Sequence, residues 1–294
     1  LPIRIYQRDR ARLAERLKKL RESAGLSGSA LARALGWPQS KISKIETMKQ
    51  LPSADDITAW TERVGTPAGT ADELVSLLDT ARYEHTHWKD AFREVGAAGV
   101  QAEILAIESQ ADRIGEFQPS MMSGLLQTAE YARESLHIPS GPLAFGSSED
   151  DIERTVAARM QRQQVLYDPS KRVQVVLLES ALRVRLASVP TLRGQLDRLI
   201  AVAGLASLDL RIVPFESEVP VFPLSGFRIY DDNLVIVESI SGEVEISDPE
   251  EVAKYVSFFE LLREAGASGD DALRVISRSF DLLTDGNSEN TRES

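Results

Sequence analysis

The chain has 294 residues, of which 43% are apolar and 27% charged, with a net charge of −11. This is an ordinary globular balance, long enough for two or three domains with a sizeable core. It has no cysteine, which excludes disulfides and thiolate metal sites, and no run of about 18 apolar residues that would span a membrane. The first residues, Leu1-Pro-Ile-Arg-Ile, form no signal-like apolar core, and the expected location is the cytoplasm.

The charge is divided unevenly. Residues 1–65 carry thirteen Lys/Arg against seven Asp/Glu, a net +6, and the remainder carries −17. A basic head on an acidic body suits binding of a polyanion at one end.

In chain order, Leu13, Leu17 and Leu20 recur at helical spacing, and Gly25 supplies the left-handed stop. Ser27 is an N-cap for a second helix with Leu31, Ala34 and Leu35 inward, closed by Gly36. Pro38 fits the first turn of a third helix. Ser53 caps a fourth, with Asp55 and Asp56 in its first turn and Ile57 and Trp60 in the core, and a fifth follows at 70–82. Together these make an N-terminal five-helix domain over 1–82.

Residues 83–115, with Phe92, Val95, Ile104, Leu105 and Ile107, read as a helical connector. A helix is expected at 127–136, a loop over 138–151, and a long solvated helix from Asp151 to Leu166, rich in Arg and Gln. Beyond Asp168-Pro169 the periodicity changes. The β-branched runs at 173–178, 208–215, 226–230, 234–239 and 242–246 read as strands, with helices at 190–203, 249–265 and 270–283. The expected class is mainly α with an α+β C-terminal half: a small mixed or antiparallel sheet with helices over 116–283, then a disordered tail, 284–294.

The third helix carries the chemistry. At 100° per residue, Ile42 and Ile45 fall on one side, and Ser40, Ser43, Lys44 and Thr47 on the other, flanked by Gln39 and Lys41. Small hydroxyls, an amide and ammonium groups suit the donor–acceptor pattern on the floor of a DNA major groove. Arg33 and Lys49 lie beside this face as further candidates.

The stretch "LRESAGLSGSALARALGWPQSKISKIETMKQLPSADDI" (20–57) resembles the helix-turn-helix of phage-repressor-like (XRE, Cro/C1-type) regulators. The resemblance covers most of the first seventy residues. It rests on the Gly-Leu-Ser start, the Leu-Ala pair of the second helix, the Gly after it, and Ile-Ser-x-Ile-Glu in the third. It implies a recognition helix at 38–47, with Gln39, Ser40, Lys41 and Lys44 reaching bases or phosphates. It also makes Arg21 and Glu46 a structural ion pair. Two positions depart from the pattern. Gly28 stands where Gln normally bonds a phosphate, and Met48 where Gly follows the recognition helix. Further on, "FQPSMMSGLLQTAEYARESL" (117–136), "LLESALRVRL" (177–186) and "LRIVPF" (210–215) are similar to the effector-like domain of actinobacterial antitoxin-like regulators, often encoded beside a small acidic partner protein.

Other chemistry is thin. His85-x-His87 with Glu84 lacks further metal ligands beyond a distant His137. There is no Gly-x-Gly-x-x-Gly, Walker or Gly-x-Ser-x-Gly motif, so neither an enzyme nor a cofactor is expected. Phe215, Phe222, Phe227 and Tyr230 are candidates for a small-molecule pocket, beside a stiff loop with Pro214, Pro220 and Pro223. The expected function is a sequence-specific, homodimeric DNA-binding regulator whose C-terminal domain senses a small-molecule effector or a protein. The alternative is an antitoxin-like module that neutralises a small partner protein.

Overall fold

A computed structural model describes residues 7–138, 148–222, 224–240 and 242–285. The chain begins with five helices: α1 (Arg8–Ser23), α2 (Gly28–Leu35), α3 (Gln39–Glu46), α4 (Ala54–Val64) and α5 (Thr70–Arg82). Local signals set most of their ends. Gly25, Gly36 and Gly65 adopt positive φ and close α1, α2 and α4. The Ser27 hydroxyl accepts from the Ala30 amide at 3.1 Å, and Ser53 and Asp56 form a reciprocal capping box. Leu13, Leu17, Leu31, Ile42, Ile45, Ile57, Trp60 and Leu74 fill one core. In α2 it is Ala32, not Ala34, that accompanies Leu31 inward. Leu31, Leu35 and Ala32 fall within 100° on the wheel, which leaves Ala34 outside that arc and exposed.

Residues 83–115 are helical over Trp88–Gln110, as expected, but both ends of the segment are strands. They hold β1 (Tyr83–His87), the helix α6 (Trp88–Gln110) and the start of β2 (Arg113–Gln118). Helix α6 breaks at Gly96, whose φ of 70° lies in the left-handed region open to glycine. Then come α7 (Ala129–Leu136), capped by Thr128, and α8 (Glu149–Arg162), which opens on a Ser148–Asp151 capping box and ends in a 3₁₀ turn. The remaining elements are β3 (Arg172–Leu178), the short and unanticipated α9 (Glu179–Arg183), α10 (Val189–Val202), β4 (Leu208–Val213), β5 (Phe227–Tyr230), β6 (Leu234–Glu238), β7 (Gly242–Ile246), α11 (Pro249–Ala265) and α12 (Gly269–Asp285). Residues 284 and 285, expected in the tail, belong to α12. Residues 286–294, and 139–147 of the expected loop, lie outside the described residues.

Among the described residues the sheet has seven strands in the order β1-β7-β6-β5-β2-β3-β4. β2, β3 and β4 run parallel, and β5, β6, β7 and β1 extend the sheet antiparallel. It is therefore mixed, and larger than expected because β1 and β2 join it. Helices cover both faces. Phe117, Val176, Phe227, Ile229 and Val235 pack with Phe259 and Leu262 of α11. Ile114, Val175, Leu177 and Ile236 pack on the other face with Ile104, Leu196 and Ile276.

The five-helix head is joined to this sheet through β1, which pairs with β7 so that His85 lies opposite Val244. Gln7, the N-cap of α1, offers no side-chain cap. Glu84 of β1 does so instead: its Oε1 accepts from the Asp9 and Arg10 amides at 2.9 and 3.0 Å. The Gln7 amide donates to Glu245 of β7 at 2.7 Å. Arg10, buried, donates to the Ser247 hydroxyl at 3.0 Å and the Asn233 carbonyl at 3.2 Å.

Burial pushes the Glu84 carboxyl up, and burial together with the neighbouring Glu84 pushes Glu245 up further. The folded chain thus keeps a proton that the unfolded chain releases. Stability attributable to this pair is present at acidic pH and declines as pH rises from the ordinary carboxylate range into the raised one. Glu245→Gln should flatten that decline, which thermal unfolding midpoints of both forms between mildly acidic and neutral pH would measure.

Candidate nucleic-acid interface

The connection from α2 to α3 is three residues long and tightly bonded. The Gly36 and Trp37 amides turn back to the Arg33 and Ala32 carbonyls at 3.3 and 2.9 Å. Pro38, at φ −61° and ψ 137°, is the N-cap of α3 rather than part of its first turn. Its carbonyl accepts from the Lys41 amide at 3.0 Å. The recognition-type helix is therefore Gln39–Glu46, with Pro38 and Thr47 as its caps.

Ile42 and Ile45, each 1% exposed, seat this helix on the core. Gln39, Ser40, Ser43 and Lys44 are exposed along its outer side. Thr47 is exposed just past the end, its hydroxyl donating to the Ser43 carbonyl at 2.7 Å. Arg33 on α2 and Lys49 after α3 are also exposed. Lys41 is held apart from that row: its Nζ lies 2.6 Å from Asp56 Oδ1 and 4.1 Å from the Trp37 ring centroid. One lysine of the helix therefore ties it to α4, while the other, Lys44, makes no ion pair among the described residues.

Two departures from the expected pattern now have a geometry. Met48 sits at φ 63°, and the Met48 and Lys49 amides bond the Ile45 and Lys44 carbonyls at 3.2 and 2.8 Å. This is a Schellman-type stop made without glycine, at a backbone cost of about 1 kcal/mol. Gly28 opens α2, and a Cβ there would meet only Ile42 Cγ2, at 3.7 Å.

Arg21 and Glu46 join α1 to α3: Nε to Oε1 is 2.5 Å and Nη2 to Oε2 is 3.0 Å. Arg21 Nη1 also donates to the Leu26 carbonyl at 2.7 Å, so one guanidinium fixes the recognition helix and the turn before α2 together. Past the end of α3, Thr47, Met48 and Lys49 face a groove of about 440 Å³ whose far wall includes Gly99 and Glu103 of α6 and Asn233. The N-terminal end of α3, with Gln39 and Ser40 exposed, lies away from that groove; it is the end that points at bases in helix-turn-helix docking.

The remaining sequence candidates do not assemble into sites. Phe215 and Phe222 are exposed, at 59% and 80%, while Phe227 and Tyr230 are buried. Residues 227 and 230 lie three apart on one strand and so enter cores on opposite faces of the sheet; the four aromatics line no common pocket. Pro223 lies outside the described residues. His85 and His87 are exposed on β1, His137 lies against Glu149 at 3.0 Å, and among the described residues no three metal-ligand side chains converge. The Arg- and Gln-rich α8 is not simply solvated, because Thr155, Arg162 and Gln163 are buried. Sequence reading missed these, together with the buried Glu116, Arg228 and Glu243.

Residues 12–74 match a helix-turn-helix domain model, and residues 101–278 match the model described as a domain of unknown function, DUF5753. No curated protein matches the chain. A solved structure with some likeness is that of TrmBL2, an archaeal chromatin protein reported to show a novel mode of DNA binding. It is 16% identical, with a TM-score of 0.33, over 83% of this chain and 88% of that one.

The two lysines of α3 separate structure from surface. Lys41→Ala should lower stability by about 1 kcal/mol through loss of the Asp56 pair and the Trp37 contact. Lys44→Ala should leave stability within about 0.5 kcal/mol. Denaturant unfolding of both variants checks this.

Proposed function

Since the chain belongs to the DUF5753 family and carries a helix-turn-helix domain ahead of that region, we propose that it is a sequence-specific DNA-binding transcriptional regulator of the XRE (Cro/C1-like) class. The observation that carries this reading is the row Gln39, Ser40, Ser43 and Lys44, solvent-facing on a helix whose back is pinned by Ile42 and Ile45. Amide, hydroxyl and ammonium groups on a short, unobstructed helix end match the groups displayed in a major groove. Arg33 and Lys49 flank the row as phosphate contacts, and the +6 of residues 1–65 supplies the attraction.

One such head makes few base contacts. The protein works as a homodimer on a pseudo-palindrome with half-sites about one helical turn apart or a multiple of it. The C-terminal α+β region receives the signal, and it uses no cofactor and performs no catalysis. The site of action is the cytoplasm, where the DNA is.

A second reading has its own support. Phe222, Leu224 and Ile240 are 80%, 78% and 98% exposed in loops leading to β5 and joining β6 to β7. Apolar side chains so exposed suit a protein partner, as an antitoxin-like role would require. The two roles are compatible. Phe222→Asp should abolish co-purification with a small acidic partner encoded next to this gene without altering DNA affinity.

The DNA reading is tested by selecting an operator from random duplexes and titrating it against salt. The log of affinity should fall with log salt by about 0.9 per phosphate contacted, and Lys44→Ala should cost about 1–3 kcal/mol on the selected site. A flat salt response, or full affinity in Lys44→Ala, overturns it.

A further inference from the structure

The inner face of the sheet carries charge where a core would carry hydrocarbon. On β2, β5, β6 and β7, Glu116 lies directly opposite Arg228 and Glu238 opposite Glu243. Glu116, Arg228 and Glu243 are buried. Arg159 and Arg162 come down on this face from α8. Where these polar groups meet α6 and α7 the packing leaves a partly open cavity of about 330 Å³, whose opposite wall is apolar: Phe92, Val100, Ile104, Met122 and Leu136.

Most of the polar floor is satisfied from within. Arg162 makes a two-pronged pair with Glu108, at 3.0 and 2.6 Å, and donates to Gln101 at 2.6 Å. Arg228 pairs with Glu243 and, at 3.3 Å, with Glu238. Glu116 accepts from the Ser123 hydroxyl at 2.5 Å and the Gln118 amide at 3.0 Å, and burial pushes its carboxyl up, towards the neutral acid.

Arg228 Nε also lacks an acceptor, but Arg228 has two carboxylate partners, and among the described residues Arg159 has none. Its Nη1 donates to the Gln127 carbonyl oxygen of the side chain at 2.8 Å. Its Nε is buried and donates to nothing, and the carboxylates of Glu238 and Glu116 act on it only from beyond ion-pair distance. Burial, with Arg162 and Arg228 close by, pushes this guanidinium down to about 10, so it stays charged at neutral pH. Arg159 as a whole is half-buried, but its Nε is enclosed, and a guanidinium with an enclosed spare donor at the edge of a partly apolar chamber is a demand for an acceptor.

We propose that this cavity binds a small amphipathic carboxylate, with its head on Arg159 and its hydrocarbon body against Phe92, Val100, Ile104 and Leu136. An anion on Arg159 supplies the missing acceptor and charge, and the apolar body fills space that water wets poorly. The inference deepens the signal-receiving part of the proposed function and rests on that reading only for its consequence at DNA. That consequence has a physical route. Phe92 and Ala97 of the cavity lie on either side of the break at Gly96, and Glu94, before the break, pairs with Arg8 of α1. An occupant therefore touches both segments of α6, one of which holds the head.

The test is calorimetric titration of the full-length protein with octanoate and decanoate, and with octanamide as the neutral match. At least one acid should bind with a Kd tighter than about 1 mM, and the amide about tenfold or more weaker. Arg159→Gln, its fold checked by circular dichroism, should weaken the acid by about tenfold or more. Ala97→Phe, which fills the apolar side, should also abolish binding, and it decides the matter if Arg159→Gln does not fold. No acid binding tighter than 1 mM, or unchanged binding in the folded variants, overturns the proposal. Repeating the operator titration with bound acid separates the two readings. Acid binding with unchanged DNA affinity supports the cavity assignment and removes the sensing role. Salt-dependent DNA binding without acid binding removes the cavity assignment alone.

Discussion

The arrangement of this protein turns on a buried ionic junction where α1 meets the sheet edge. Arg10 is buried at the start of the first helix and answers to Glu84 and Glu245 from two paired strands. Removing such charges from water is costly, and backbone amides, a hydroxyl and a carbonyl offset much of that cost, although Arg10 Nε is left without an acceptor. Glu84 lies 75 residues along the chain from the Asp9 amide it caps, so the N-terminal partner of α1 is a tertiary contact rather than a local one. Helical head and α+β body are thereby fixed to each other at this edge, with the Arg8–Glu94 pair to α6 beside it.

From that edge the geometry of the outer helix follows. α1 holds α3 through Arg21 and Glu46, and α4 holds it through Asp56 and Lys41. Two ion pairs and two isoleucines leave the recognition-type helix little freedom to rotate, so its exposed side is a fixed row rather than a fluctuating one. Rigidity of this kind favours discrimination between base pairs, because fewer side-chain arrangements must be lost on docking.

Local chemistry was legible wherever one residue settles one backbone feature. Ser27, Ser53 and Thr128 cap helices, and Gly25 and Gly36 end them, because caps depend on near neighbours. The strands at 173–178 and 234–238 declare themselves by β-branched content. β1 did not, since Tyr-Glu-His-Thr-His has no apolar alternation and becomes a strand only by pairing with β7. The break in α6 was hidden because Gly96 lies in an otherwise helical pattern. Of the interface, the outward row on α3 was readable from the wheel, but the turning of Lys41 towards Asp56 depends on α4 and was not. The cavity was the least legible. Glu243 and Glu245 alternate with Val244 and Ile246, which reads as one wet face and one dry face, whereas both faces of that strand are covered.

The pairing of β1 with β7 also bears on how such a protein can change over time. A head that shared only a flexible tether with its body could be exchanged for another by recombination at the tether, leaving both halves intact. Here a cut after Arg82 would leave Glu84 with the body and deprive α1 of its cap, while a cut after His87 would strip the sheet of its edge strand and part Thr86 from Glu245. No seam between residues 82 and 88 severs the two halves cleanly, so point changes on the exposed side of α3 disturb this fold less than wholesale replacement of the head would.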